Sequence, residues 1–309
     1  INERDIIMKT VRIKAYAKVN LFLDIVGKEN GYHLLDTVVT TVDLFDSITL
    51  TARKDKKIVL KTGGGLYSVT ENSDNNAYKA AALYSERFST AGADIVLNKH
   101  IPVGSGLGGS SADIAGVLIG MEKLYSKCKD LKPLADELGS DSGYLLSGGW
   151  ARLKGRGEIV EKLDIDKKLY FFIITADGGV NTSECYRLYD STEKAPVSFG
   201  ADKLISDLSS GDAESYDLYN ALYAPATTIN ENVKKAYEFI KDLSPKAVVM
   251  SGSGSSVAGI FDTAELCQWA QAKAKYLFKN TFVTESLSDA EIKKRSGAGR
   301  TLYSPAEAD

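Results

Sequence analysis

The stretch PVGSGLGGSSADIAGVL, residues 102–118, decides how this chain is read. Gly104, Gly106, Gly108 and Gly109 fall within residues 104–111, among Ser105, Ser110 and Ser111. They run straight into Ile114, Val117, Leu118, Met121, Leu124 and Tyr125, which follow the 3.6-residue period of a helix. The first turn of a helix leaves N–H groups unpaired at the positive end of its dipole. Glycine removes the Cβ that would hold an anion away from them. A phosphate chain suits such a cradle, and the hydroxyls of Ser110 and Ser111 can meet phosphate oxygen or a magnesium ion.

Other readings of the loop compete. Residues 104–109 match G-x-G-x-x-G, but a dinucleotide fold needs a βαβ unit with an acidic residue ending its second strand. After this helix the chain reads as another helix and a hairpin instead. No Lys follows the glycines, as a Walker loop requires. A plain strand-to-helix turn would need fewer glycines.

Outward from the loop, the first half of the chain is rich in strands. Val11–Tyr16 is β-prone, and Val19, Leu21, Leu23 and Ile25 alternate as in a half-buried strand. Residues 38–44 and 47–52 read as separate strands with Asp46 between them, and 58–61 as another. Asp74 suits the N-cap of a helix over 75–88. Residues 95–97 are a strand leading into the loop, and 150–160 a hairpin. The apolar run LYFFIIT at 169–175 reads as a strand buried on both faces, with a domain boundary just before it. That gives domains 1–165 and 166–309. Helical patterns follow at 201–209, 213–223 and 229–242. A strand at 247–250 enters a second glycine–serine loop, SGSGSS at 251–256. A helix near 263–278 and a strand at 281–286 close the pattern, and the polar tail from about 290 is expected to be loosely held.

Composition narrows the function classes. The 309 residues carry 38 Lys+Arg against 41 Asp+Glu, a net charge of -3, so no broad basic surface points to nucleic acid. Three widely spaced cysteines without C-x-x-C argue against a zinc site or disulfide framework. The plain expectation is free thiols in the cytoplasm. No apolar run reaches membrane-spanning length, and residues 1–10 lack the apolar core of a signal peptide. Met8 is a candidate natural start. Monomer and homodimer both stay open.

Further segments join the loop in one pattern. Ala15-Tyr16-Ala17-Lys18-Val19-Asn20-Leu21, the central PVGSGLGGSS and Ser251-Gly252-Ser253-Gly254 together resemble the three motifs of the GHMP kinases, a superfamily of small-molecule kinases. Asn30-Gly31-Tyr32-His33-Leu34-Leu35, Leu138-Gly139-Ser140-Asp141, Ser147-Gly148-Gly149 and Gly155-Arg156-Gly157-Glu158 resemble the branch that phosphorylates a cytidine-diphosphate-linked polyol. The resemblance implies an α+β fold of two domains: an N-terminal α/β domain like domain 2 of ribosomal protein S5 and a ferredoxin-like C-terminal domain, with the active site between them. It implies ATP and magnesium, and 4-diphosphocytidyl-2-C-methyl-D-erythritol as acceptor at its 2-hydroxyl. Homoserine- or mevalonate-type acceptors, or a relative that binds nucleotide without catalysis, are the alternatives. Two departures stand out: Tyr16 where proline is usual, and Ser142-Gly143-Tyr144 where V-P-[FV] is usual.

Carried over residue by residue, the resemblance makes Asp141 the base that orients and deprotonates the acceptor hydroxyl, with Lys18 as its cationic partner. Pro102, Gly104, Ser105, Gly106, Leu107, Gly108, Gly109, Ser110 and Ser111 form the nucleotide loop, and Asn75 and Lys99 flank the adenine pocket. Tyr32 and His33 hold cytosine, with Tyr186 on its other face. Asn20, Thr182, Gly252, Ser253 and Gly254 meet the acceptor side. Each residue also has a bland reading. Asp141 suits a turn or cap after Gly139, Lys18 a solvated strand position, and Asn75 and Lys99 a helix start and a loop. Tyr32 would suit a turn aromatic, and one tyrosine among 16 is unremarkable.

Overall fold

The computed structural model describes residues 9–192, 197–210 and 215–295. The candidate start at Met8 and the tail beyond residue 295 lie outside the described residues. Two long strands open the chain, β1 (Thr10–Glu29) and β2 (Tyr32–Ala52). They are joined at Asn30-Gly31, both with positive φ, the pairing that a tight hairpin turn demands. There follow β3 (Val59–Thr62), α1 (Asn76–Phe88), β4 (Ala93–Asn98), α2 (Gly109–Tyr125), the short helices α3 (Lys132–Leu138) and α4 (Ser142–Leu145), and the hairpin β5 (Trp150–Gly155) and β6 (Ile159–Lys162). The remainder comprises β7 (Tyr170–Thr175), α5 (Thr182–Ser191), α6 (Ala201–Ser210), β8 (Tyr219–Asn220), α7 (Tyr223–Ile229), α8 (Glu231–Asp242), β9 (Ala247–Met250), β10 (Ser256–Phe261), α9 (Ala264–Ala274), β11 (Asn280–Glu285) and α10 (Asp289–Arg295).

The strands form two sheets. In the first, β1 pairs antiparallel along β2, whose other edge is shared by β5 over Leu35–Thr40 and β4 over Ser47–Ala52. Strand β3 runs parallel to β4, β6 pairs with β5, and β8 adds a short parallel edge to β1. The second sheet is antiparallel in the order β11-β7-β10-β9.

Helix α2 lies against the first sheet, apolar on nearly every side. Gly116 and Gly120, one turn apart, bring it close: a Cβ on Gly116 would meet Ile48 Cδ1 at 2.8 Å, and one on Gly120 would meet Leu50 Cδ1 at 2.4 Å. The run in β7 is buried on both faces because successive side chains alternate between two cores. Phe171 and Ile173 join the core that contains α2. Phe172 and Ile174 join the one beneath α8 and α9, with Val233, Ala236, Ile240, Cys267 and Ala270.

The structure departs from the sequence reading in several places. Residues 11–16 and 19–25 are one strand, as are 38–44 and 47–52. Asp46 is no break: it is fully buried, its Oδ1 accepting from the His100 and Ile101 amides at 2.6 and 2.9 Å. Asn75, rather than Asp74, caps α1 by accepting from Ala77 N. Within the segment expected as a helix over 213–223, residues 219–220 are β8 and α7 starts only at Tyr223. Residues 289–295 of the tail form α10. Strand β10 was not anticipated because it is buried throughout and shows no alternation. Helix α5 was not anticipated either, although Asn181 and Glu184 carry the N-cap spacing, Asn181 accepting from Glu184 N.

Close packing at α2 gives the first prediction. Gly120→Leu overpacks the contact with Leu50 and is expected to lower unfolding stability by about 1–3 kcal/mol in urea titrations. An unchanged midpoint would remove this account of the glycine.

Candidate active site

Lys18 and Asn20 project from the same face of β1, two residues apart, and both are buried. Lys18 Nζ donates to Asn20 Oδ1 at 2.5 Å and lies 3.4 Å from Asp141 Oδ2. Asn20 in turn donates through Nδ2 to Thr37 Oγ1 at 2.9 Å. The ammonium is thus desolvated and held between a neutral amide oxygen and a carboxylate that is about one-third exposed.

The glycine loop and the loop between β9 and β10 close over this group. Lys18 N donates to Leu107 O at 3.0 Å, and Ser256 N to Ser105 O at 2.9 Å. The Ser251 hydroxyl accepts from Asn20 N at 3.1 Å and donates to Gly106 O at 2.9 Å. Asn220, on β8, donates to Met250 O and Gly252 O and so fixes the later loop.

The glycines of the first loop serve more than one purpose. Gly104, Gly106 and Gly108 all have positive φ. A Cβ on Gly106 would sit 2.1 Å from Ser251 O, and one on Gly108 would sit 2.9 Å from Lys18 Cγ. At Gly104 the space is open. Gly108 is the N-cap of α2 and offers no side-chain hydrogen bond, so the first amides of the helix are uncapped by a side chain. Bare backbone therefore lets the loops and Lys18 come together and leaves amides free for an anion.

These elements enclose a cleft of about 310 Å³. Lys18, Asn20, Asp141 and Ser111 line it, as do Gly104, Gly106 and Gly108 of the first loop and Gly252, Ser253 and Gly254 of the later one. Thr182 and Tyr186, from α5, complete one side, and Thr182 Oγ1 lies 2.8 Å from Ser253 Oγ. Burial, and then the nearby Asp141 charge, push the Tyr186 phenol well above its ordinary pKa. The His33 ring stacks on Tyr186, centroids 4.7 Å apart and 27° between planes. Tyr32 is 56% exposed and lies under the Arg156 guanidinium, 4.7 Å from its ring centroid.

Comparisons with known proteins agree with this arrangement. The family model described as GHMP kinases N terminal domain matches residues 75–151. A 4-diphosphocytidyl-2-C-methyl-D-erythritol kinase of Clostridium beijerinckii is 33% identical over 284 residues, covering 90% of this chain and 100% of that one. The chain belongs to the 4-diphosphocytidyl-2-C-methyl-D-erythritol kinase family. A relative of the same name from Clostridium tetani is 34% identical over 278 residues, 86% of this chain and 97% of its own. A crystal structure of a 4-(cytidine 5'-diphospho)-2C-methyl-D-erythritol kinase superposes with a TM-score of 0.78 at 30% identity, covering 90% of this chain and 100% of that one. Homoserine kinase from Cytophaga hutchinsonii, at 18% identity and a TM-score of 0.63, shares the fold. The α+β fold expected from the motifs is the fold found.

In this kinase chain the departure at residues 142–144 is absorbed by packing. Tyr144 is fully buried in α4; its hydroxyl donates to Gly149 O at 2.6 Å and lies 2.9 Å from Thr41 Oγ1. Asp141 stays beside Lys18. Tyr16, the other departure, is buried against Phe45, and burial raises its phenol to about 12.

Some expected nucleotide residues are otherwise engaged. Asn75 spends its side chain on the α1 cap and on Thr70 O. Lys99 O accepts from the Leu66 and Tyr67 amides. Its ammonium is buried between Asp46 and Asp113. Ser105 is buried, donating to Pro102 O, and Ser110 accepts from Asn76 Nδ2. Leu107 and Gly109 lie behind the loop, a Cβ on Gly109 falling 3.1 Å from Lys99 Nζ. The sequence reading missed Asn220 and Thr37, gave Ser251 no role beyond the S-G-S-G motif, and gave Arg156 none beyond its G-R-G-E signature. Asn220 has no local signal, since its role depends on a distant loop.

The buried triad behind the loop is testable. Burial opposes the charge on Lys99, but Asp113 and Asp46 outweigh it and hold the lysine pKa above its usual value. Burial raises the Asp113 carboxyl, against the pull of Lys99. Lys99→Met strands the carboxylates and is expected to cost about 3–5 kcal/mol at neutral pH. Asp113 then keeps its proton to higher pH when folded than when unfolded, so the deficit shrinks as pH falls. Urea titrations at pH 8 and pH 5 check both the size and the sign.

Proposed function

We propose that this chain transfers the γ-phosphoryl group of ATP to the 2-hydroxyl of 4-diphosphocytidyl-2-C-methyl-D-erythritol, in the non-mevalonate route to isoprenoid precursors. One observation carries the reading: a carboxylate, its buried ammonium partner and an uncapped helix start line the same cleft. The names of the relatives and of the superposed structure give the acceptor.

Phosphoryl transfer to an alcohol needs a held triphosphate, an aligned hydroxyl and compensation of charge. In this reading the amides from Gly104 to Ser111 hold the phosphates. Asp141 takes the acceptor proton, and Lys18, 3.4 Å from its Oδ2, offsets charge at the acceptor oxygen. Asn20, Thr182 and the loop from Gly252 to Gly254 position the polyol. His33 and Tyr186 meet cytosine, and Tyr32 closes over it by leaving Arg156. Asn75 and Lys99 act on nucleotide only indirectly, through the α1 start and the support of the loop.

Magnesium fits the donor set in a limited way. Among the described residues no group of three or more His, Cys, Asp or Glu could hold a metal ion. The cleft does present hard oxygen donors, the Ser111 hydroxyl and the Asp141 carboxylate. Magnesium is commonly held by substrate phosphates with one or two protein oxygens, and when bound it neutralises phosphate charge. Among the described residues no helix is long and apolar enough to cross a membrane. We place the enzyme in the cytoplasm, where Cys128, Cys185 and Cys267 remain thiols. We also divide it into domains near residue 165, between β6 and β7.

Asp141→Asn should lower kcat by about 10²–10⁴ while the thermal transition stays in place, followed as ADP release. Near-normal turnover by that variant would end the assignment. In a parallel screen the wild-type enzyme should turn over the cytidine-linked polyol and neither homoserine nor mevalonate. A preference for either small alcohol would redirect the proposal.

A further inference from the structure

We infer that Asp190 is a positioning residue that fixes the hydrogen-bonding sense of His33, so that the site takes a base bearing an amino group and turns away one bearing a carbonyl at the same edge. The inference rests on the proposed role of His33 at the base.

Asp190 follows Tyr186 by one turn of α5, so the two share a face of the helix. Its Oδ1 lies 2.6 Å from His33 Nε2, and its Oδ2 lies 2.7 Å from Lys28 Nζ. These hydrogen bonds, His33 first and Lys28 second, hold its carboxyl at about 2. Asp190 is therefore ionised throughout the neutral range and can only accept. Nε2 must then carry the hydrogen. Lys28 engages the other oxygen of the same carboxylate. A neutral ring with hydrogen on Nε2 leaves Nδ1 as a lone-pair acceptor. Nδ1 has no hydrogen-bond partner among the described residues.

The ring is also held in orientation. Tyr186 covers one face at 4.7 Å, and Tyr189 meets the ring edge-on at 6.3 Å and 81°. The imidazole cannot readily turn over without losing the Tyr186 stack and the Asp190 bond together. Beside Tyr186, which lines the cleft, the ring offers an acceptor. The exocyclic amine of cytosine can donate to it, whereas uracil presents a carbonyl oxygen there and leaves two acceptors opposed. Sites built around one hydrogen bond reject the analogue that cannot make it much more strongly than apolar pockets reject an extra methylene.

The chain has only two histidines, so side-chain ¹⁵N spectra of histidine-labelled protein at pH 8 resolve His33 from His100. In the wild type His33 should show hydrogen on Nε2 and none on Nδ1. Cytidine diphosphate should shift the Nδ1 signal, uridine diphosphate should not, and the cytidine compound should bind more tightly by about tenfold or more. Asp190→Asn should mix the tautomers and bring the two affinities together, and Asp190→Glu should restore part of the difference. Hydrogen on Nδ1 in the wild type, or an Asp190→Asn variant with unchanged tautomer and unchanged preference, would overturn the inference. If the kinase reading itself is wrong, neither diphosphate binds, and the inference goes with it. If only the inference is wrong, both bind and Asp190→Asn leaves their ratio untouched.

Discussion

Backbone meets backbone where the glycine loop crosses the loop after β9, and the cleft exists because nothing separates them. The site a Cβ would take on Gly106 is 2.1 Å from Ser251 O, so no other residue fits without moving one loop. The Ser251 hydroxyl joins the same point to β1 through Asn20 N and Gly106 O. One residue thereby ties together three segments remote in sequence, each carrying part of the site. Each bond is worth little net, but a buried amide or carbonyl left without a partner costs about 1–3 kcal/mol. The junction is held mainly by what breaking it would strand.

Electrostatics follow from that junction. Lys18 sits beneath the loop with little access to water, and its charge is directed at Asp141. Behind the loop, Lys99 faces Asp46 and Asp113, away from the cleft. The two lysines approach successive residues at the start of α2, Lys18 at Gly108 and Lys99 at Gly109, and of the two only Lys18 lines the cleft. Arg156 supplies further charge near Tyr32.

What could be read from sequence was whatever demands a particular backbone. Repeated glycines before a helix, Lys18 and Asn20 in a β-prone run, and SGSG after an apolar strand are local signals, and these segments do converge. What could not be read depends on distance. Asp46 resembles a break until Lys99 and two amides arrive to bury it. Asn220 resembles any loop asparagine until β8 docks beside β1. Tyr32 and Tyr186 suggested opposite faces of one base, but the contacts they make with the Arg156 guanidinium and the His33 ring have no local signal. Strand β10 lacks alternation because it is buried on both faces, so the period of two that marks a half-exposed strand is missing.

The alternating side chains of β7 bear on how substrates enter. Phe171 and Ile173 are anchored among residues of the first sheet's core, and Phe172 and Ile174 beneath α8 and α9. Swinging one sheet away from the other as a rigid jaw would wet the first pair, at about 1.5–3 kcal/mol for each side chain. Entry and exit are therefore a matter for the open rim of the cleft rather than for a parting of the two sheets.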